Sequence, residues 1–251
     1  MTKVLLVAGT SDAADFIANA PQTWQITATT VSQLGADAIK KNPNLTIEVG
    51  ALDKEGFVNL MCQFAPDYIV DMSHPFATEA TLNVKLAAEA ENLPYLRFDR
   101  PEVALPGKIT YFNDFPLAVQ GLKKIEGNIL LTIGSRNLHY FTELPDFYSR
   151  CYVRVLADSK ILRQLEDMSI KPSHIFAMKG VASQALNIAL AQEVKAQAIV
   201  TKDSGIKGGL LEKAAAAAAL DIPLLIIKKP ASDKKVYDSI AEIINYIEGR
   251  G

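Results

Sequence analysis

Short apolar runs alternate with longer amphipathic stretches along almost the whole 251-residue chain. The runs occupy residues 4–8, 24–29, 45–49, 68–70 and 95–98 and, after Pro101, residues 129–132, 152–156, 174–177, 198–201 and 224–227. A strand covered on both faces reads as a continuous apolar run, whereas a strand with one wet face alternates. The stretches between them, such as 77–90, 181–193 and 210–220, carry apolar residues at helical spacing. This alternation predicts an α/β protein with parallel sheets and crossover helices. Two sets of runs predict two Rossmann-like, doubly wound domains. Pro101, Pro106, Gly107 and Pro116 interrupt helix periodicity between Arg100 and Asp114, which sets the expected domains at 1–112 and 113–251. The alanine run 214–219 reads as packed helix, alanine having the highest helix propensity.

Composition narrows the partners. With 49% hydrophobic residues, 22% charged residues and a formal net charge of −2, the chain can bury a real core. It lacks the clustered positive field that nucleic acid or a membrane surface requires, so neither is expected as a partner. Cys62 and Cys151 are too few and too far apart for a disulfide scaffold or a cysteine-rich zinc site. His74, His139 and His174 show no metal-binding spacing, so no metal is expected. No segment approaches the roughly 18 apolar residues that span a bilayer, and the first run is too short for a signal peptide. The expected location is the cytoplasm.

In doubly wound sheets, ligands bind beyond the carboxyl ends of the strands, where helix N-termini point unbonded N–H groups outward. Gly9-Thr10-Ser11 follows the first run and opens a helix. Glycine permits close backbone approach, and the hydroxyls can cap the helix or bind phosphate. The full GxGxxG fingerprint is absent, so a plain capped turn reads equally well. The second run ends in Thr29-Thr30-Val31-Ser32 without the acidic residue that clamps the ribose of NAD and repels a 2′-phosphate, which leans towards NADP. Pro75 holds His74 extended between a strand end and a helix, where an imidazole can donate a proton or serve structure alone. Arg97 and Arg100 close the fifth run, and Arg136 follows Gly134-Ser135 after the sixth. A guanidinium suits bidentate binding of phosphate or carboxylate, and internal ion pairs are the competing role. The richest segment, residues 200–209, holds Lys202, Asp203, Ser204, Gly205 and Lys207 between a strand and a helix. It lacks Walker A spacing but reads as an anion site. Lys179, Lys228 and Lys229 add cations at further strand ends, an arrangement that focuses a polyanionic ligand.

Residues 6–13, 71–77, 95–101, 131–136, 200–209 and 222–230, taken in order, resemble the successive motifs of the precorrin-6A reductase family. The resemblance implies two Rossmann-like domains with the active site in a cleft between them, and NADPH as hydride donor. It also implies reduction of one double-bonded position of a tetrapyrrole corrin precursor, hydride going to one carbon and a proton to its neighbour. Gly9, Thr10, Ser11, Gly134, Ser135, Arg136, Lys202, Asp203, Ser204 and Gly205 are then expected to bind the cofactor. Arg97, Arg100, Lys179 and Lys207 are expected to bind the substrate; His74, Lys202 and Asp203 can each deliver the proton, and His74 is favoured because an imidazole titrates nearest to neutral pH. The chain departs from the family's Gly-Pro-Phe-Ser-like segment, carrying Lys179-Gly180-Val181-Ala182-Ser183 instead. Two other readings fit the same residues: an NADP-dependent reductase or epimerase of a smaller substrate, and a non-enzymatic nucleotide-sensing module.

Overall fold

The first apolar run becomes β1 (Lys3–Ala8), buried at every position after the first. The structure, a computed structural model, describes residues 1–39, 43–99, 104–229 and 236–249. From β1 the chain continues through α1 (Ser11–Asn19), β2 (Gln25–Thr30), α2 (Gln33–Asp37), β3 (Leu45–Val49), α3 (Lys54–Phe64), β4 (Tyr68–Met72), α4 (Thr78–Ala90) and β5 (Tyr95–Phe98). A second series follows: β6 (Ile109–Phe112), α5 (Phe115–Leu122), β7 (Asn128–Leu131), α6 (Phe147–Arg150), β8 (Cys151–Val155), α7 (Ser159–Asp167) and β9 (Ile175–Ala177). It closes with α8 (Gln184–Glu193), β10 (Ala196–Lys202), α9 (Leu210–Ala219) and β11 (Leu224–Ile227). Finally β12 (Val236–Tyr237) and α10 (Ile240–Ile247) complete the fold.

Local chemistry sets these boundaries. Asp53, Asp114 and Ser183 each accept a backbone N–H of the following first turn and so start α3, α5 and α8. Ala65, at φ 50, ends α3 in the left-handed conformation.

Two all-parallel sheets result, with strand orders β12-β5-β4-β1-β2-β3 and β6-β11-β10-β7-β8-β9. Both faces of the first sheet are covered. Phe16 and Ile17 of α1 and Ile243, Ile244 and Ile247 of α10 pack on one side, against Val4, Leu6 and Val70. Phe57 and Met61 of α3 with Val84, Ala87 and Ala88 of α4 pack on the other, against Leu5 and Ile69. In the second sheet Ala191 of α8 and Leu210, Ala214 and Ala217 of α9 cover Leu130, Ile199, Leu224 and Ile226. The strand order reverses between β1 and β4 in the first sheet and between β7 and β10 in the second. At such a point neighbouring loops part to opposite faces and leave a crevice at the carboxyl edge.

The α/β class and doubly wound parallel sheets are as the sequence indicates; the expected boundary is not. Residues up to 99 together with 236–249 form the first compact unit and 104–229 the second. The proposed limits 1–112 and 113–251 misplace two strands. Residues 109–112 pair with β11, and residues 236–237 pair with β5. Neither strand has a strong sequence signal. β6 is an edge strand with a half-exposed pattern, and β12 has only two residues.

The returning helix gives a direct check. Ile243 is fully buried in the same core as Trp24, the chain's sole tryptophan. Ile243→Ala should reduce the unfolding free energy read by Trp24 fluorescence in denaturant by about 2–5 kcal/mol. An unchanged transition would assign α10 to the second unit instead.

Candidate active site

In the first unit, the loops leaving β1 and β4 meet at the switch point. A Cβ added to Gly9 would lie 2.8 Å from the backbone N of His74 and 3.0 Å from Cα of Ser73, so only glycine lets the two loops approach. The Thr10 hydroxyl lies 3.2 Å from the Met72 carbonyl and 3.1 Å from Asp12 Oδ2, and makes no capping bond to α1. Its task is therefore to tie the β1 exit to the β4 exit. Asp12, buried in the first turn, already gives this helix end a negative charge.

Beneath that crossing lies a buried polar network. Arg97 on β5 faces Asp71 on β4 in register, with Nη1 2.8 Å from Oδ1. The Tyr95 hydroxyl donates to Asp71 Oδ2 at 2.6 Å, and the Ser73 N–H donates to Oδ1 at 2.8 Å. Arg97 also donates to the Ser73 hydroxyl at 2.7 Å and to its carbonyl at 3.1 Å, while Thr81 of α4 lies 2.9 Å from that hydroxyl. Burial, reinforced by the Asp71 charge and hydrogen bond, pushes the Tyr95 phenol well above its ordinary range, so it stays a donor. The network fixes Ser73 and thereby the start of the loop that carries His74. His74 Nδ1 accepts the Phe76 N–H at 3.2 Å, which leaves the proton of a neutral imidazole on Nε2.

In the second unit, the exit of β7 is tied to β10 itself, and the loop beyond it stays open. Thr132 donates to the Val200 carbonyl through both its N–H and its hydroxyl, each at 2.8 Å. Gly134 then turns at φ +75 with nothing within 4 Å of where a Cβ would be. Lys202 ends β10, and burial followed by the Arg136 charge lowers its pKa to about 8. Asp203 N–H donates to the Ile227 carbonyl at 2.8 Å, and the Ser204 hydroxyl donates to the Gly208 carbonyl at 3.2 Å. A Cβ on Gly209, at φ +75, would collide with Val181, so Val181 seals this loop from above.

The family model "Precorrin-6x reductase CbiJ/CobK" matches residues 3–248. The chain belongs to this family. It is an oxidoreductase family of cobalamin biosynthesis. A cobalt-precorrin-6A reductase of Methanothermobacter thermautotrophicus is 31% identical over 97% of this chain and 83% of its own length. One from Priestia megaterium is 29% identical over 96% of both chains. Among solved structures, a CobK precorrin-6A reductase superposes with a TM-score of 0.78 at 18% identity, covering 100% of this chain and 98% of that one, which is a likeness of fold.

Within the reductase, the residues singled out from sequence divide by position. Gly9, Thr10, Ser11 and His74 gather at the first switch point. Gly134, Ser135, Arg136, Lys202, Asp203, Ser204 and Gly205 gather at the second. Lys207 is exposed in the 3-10 turn after β10, and Lys179 is exposed beyond the edge strand β9. Arg100 lies outside the described residues. Arg97 requires correction as a substrate ligand. It is 6% exposed, and its guanidinium is taken by Asp71 and Ser73.

Sequence reading missed Asp71 and Tyr95 as partners of Arg97. It also missed Arg154, Asn187 and Lys213 in the second unit. The available signal was a charge inside an apolar stretch: Arg154 interrupts Tyr152-Val153-Val155, and Lys213 precedes the alanine run.

Asp71→Asn keeps the shape of the network but leaves Arg97 charged and unpaired in the interior. The expected loss is about 3–5 kcal/mol of stability, read from Trp24 in denaturant. Replacing the pair together by Leu and Met should recover much of it, and a double-variant loss equal to the sum of the two single-variant losses would show that the pair is not coupled.

Proposed function

We propose that this protein reduces the precorrin-6A macrocycle, with or without cobalt, and uses NADPH to do so. The observation that carries the proposal is the family match across residues 3–248. The cations at the carboxyl edge of the second sheet, Arg136, Lys202 and Lys228, support it, because both ligands would be polyanions.

Residues at the strand ends suit a dinucleotide phosphate. Gly134 leaves open space where a side chain would stand, and β2 ends in Thr30-Val31-Ser32 with no carboxylate to repel a 2′-phosphate. Ser32 instead caps the short α2 by accepting the Gly35 N–H. NADPH, when bound, supplies the hydride. The chain's own groups have the remaining tasks. Arg136 and Lys202, with the backbone of 134–136 and 202–205, hold phosphate or carboxylate oxygens. Lys179 and Lys207 are exposed and meet carboxylates at the macrocycle fringe. As the imidazolium, His74 gives its Nε2 proton to the carbon beside the one that receives hydride and is left as neutral imidazole, to be reprotonated from solvent. Arg97 orients the His74 loop through Ser73 and makes no contact with substrate in this scheme.

The deciding assay is loss of nicotinamide absorbance on mixing the protein with NADPH and each form of precorrin-6A. Turnover should occur with at least one form, with kcat/KM for NADPH well above that for NADH; comparable values would refute the 2′-phosphate argument. His74→Ala should lower kcat by roughly 10²-fold or more with little change in NADPH affinity. A near-normal kcat would mean that water or the substrate's own acids deliver the proton.

A further inference from the structure

Arg154 sits near the end of β8 and, by strand alternation, shares the face of Tyr152 that α8 and α9 cover. Its Nη1 donates to Asn187 Oδ1 at 2.7 Å. Asn187 is itself fully oriented, its Nδ2 donating to the carbonyls of Ala182 at 3.0 Å and Ser183 at 2.8 Å. An amide held this way can offer only its oxygen to the guanidinium, so Arg154 is aimed by a neutral partner. Lys213 lies on the same helix face as Leu210 and Ala217, and is 4% exposed. Its Nζ donates at 2.9 Å to the Gly208 carbonyl, the acceptor that Ser204 also uses.

Neither cation has a carboxylate within 4.0 Å among the described residues. The charged groups facing Lys213 are Arg154 on β8, Lys202 on β10 and Glu212 on its own helix. Arg154 and Lys213 therefore share one facing carboxylate, Glu212, whose Oε2 is buried and has no hydrogen-bond partner among the described residues. Two buried cations that share one carboxylate beyond ion-pair distance are costly, and a second anion would complete them. The rim is apolar: Leu156 beyond β8 is 37% exposed and Val181 over Gly209 is 55% exposed.

We infer that Arg154 and Lys213, positioned by Asn187 and the Gly208 carbonyl, form an oxyanion subsite of the second unit that receives a carboxylate or phosphate of the ligand. The inference rests on the reading above for the identity of the ligand only. Arg154 offers N–H groups in a plane that matches an oxyanion edge, and Lys213 adds a point charge from below. The apolar rim suits a ligand whose body is hydrophobic and whose fringe is anionic, which favours a macrocycle carboxylate over a nucleotide phosphate.

Burial, followed by the Arg154 charge, lowers the Lys213 pKa to about 7. The burial penalty on its charge is therefore complete below pH 7 and fades as pH rises towards the unfolded value of about 10.4. An oxyanion reverses that penalty by favouring the ammonium, so affinity should fall as pH rises through 7. Lys202, at about 8, adds a weaker dependence above that point.

The test uses isothermal titration of the full chain with inorganic pyrophosphate, NADPH and uroporphyrin, an acetate- and propionate-bearing tetrapyrrole, against Lys213→Met and Arg154→Met. At least one probe should bind about 10-fold or more weakly to both variants, and Arg154→Lys should recover part of the loss. Loss confined to NADPH and pyrophosphate assigns a phosphate to the subsite; loss confined to uroporphyrin assigns a carboxylate. Lys213→Met should also melt at a higher temperature than the parent without ligand, most clearly below pH 7, and lose the affinity change near pH 7. A lysine that serves only to hold the Gly208 carbonyl would behave oppositely, with lower melting temperature and unchanged binding of all three probes, and that result overturns the inference. Because pyrophosphate and uroporphyrin binding need no turnover, absence of reductase activity would count against the proposed reaction and not against the subsite.

Discussion

Parallel pairing with both faces covered is the constraint from which the rest of this architecture follows. A strand that pairs in parallel must be reached by a crossover, and the crossover helix takes a face of the sheet. Every strand of a sheet then ends on the same side, so residues far apart in sequence converge there. The reversals of strand order between β1 and β4 and between β7 and β10 open a gap at that edge in each unit. Gly9 is required because the β4 loop folds down into the first gap, and Gly134 leaves the second open.

How much of this the sequence discloses depends on the strength of the local pattern. Central strands such as 4–8 and 224–227 announce themselves because both faces are dry. Edge strand β6 and two-residue β12 do not, since one is half-wet and the other draws its stability from β5 and from the helix that follows it. The segments at the switch points were legible because glycine, hydroxyl and cation after an apolar run form a recognisable combination. Partnership was not legible. Arg97 next to a strand end reads as a ligand for anions until its in-register neighbour on β4 turns out to be Asp71. Lys213 was hidden for a different reason: beside Glu212 and ahead of the alanine run it reads as a solvated charge, and only the fold decides that its face points inward.

The two units bury charge in contrasting ways. In the first, Asp71 and Arg97 satisfy one another, and the remaining donors and acceptors are matched by Tyr95, Ser73 and Thr81. Such a network rigidifies whatever it grips, here the residue before His74. In the second, Arg154 and Lys213 are held by neutral oxygens, with Glu212 as the one carboxylate facing Lys213. Sites that bind ligands tightly often contain such local instability, because groups arranged to suit a ligand suit the empty protein less well.

The return of residues 236–249 to the first sheet also sets an order of events during synthesis. Domains on a growing chain commonly fold from the N-terminus onward. Here the first unit lacks its edge strand and the helix carrying Ile243, Ile244 and Ile247 until residues 236–249 have emerged, by which time 104–229 is already available to fold. The nascent chain therefore carries a sheet with one face partly bare behind a unit that can finish first, and it is this waiting half that chaperones would be expected to cover.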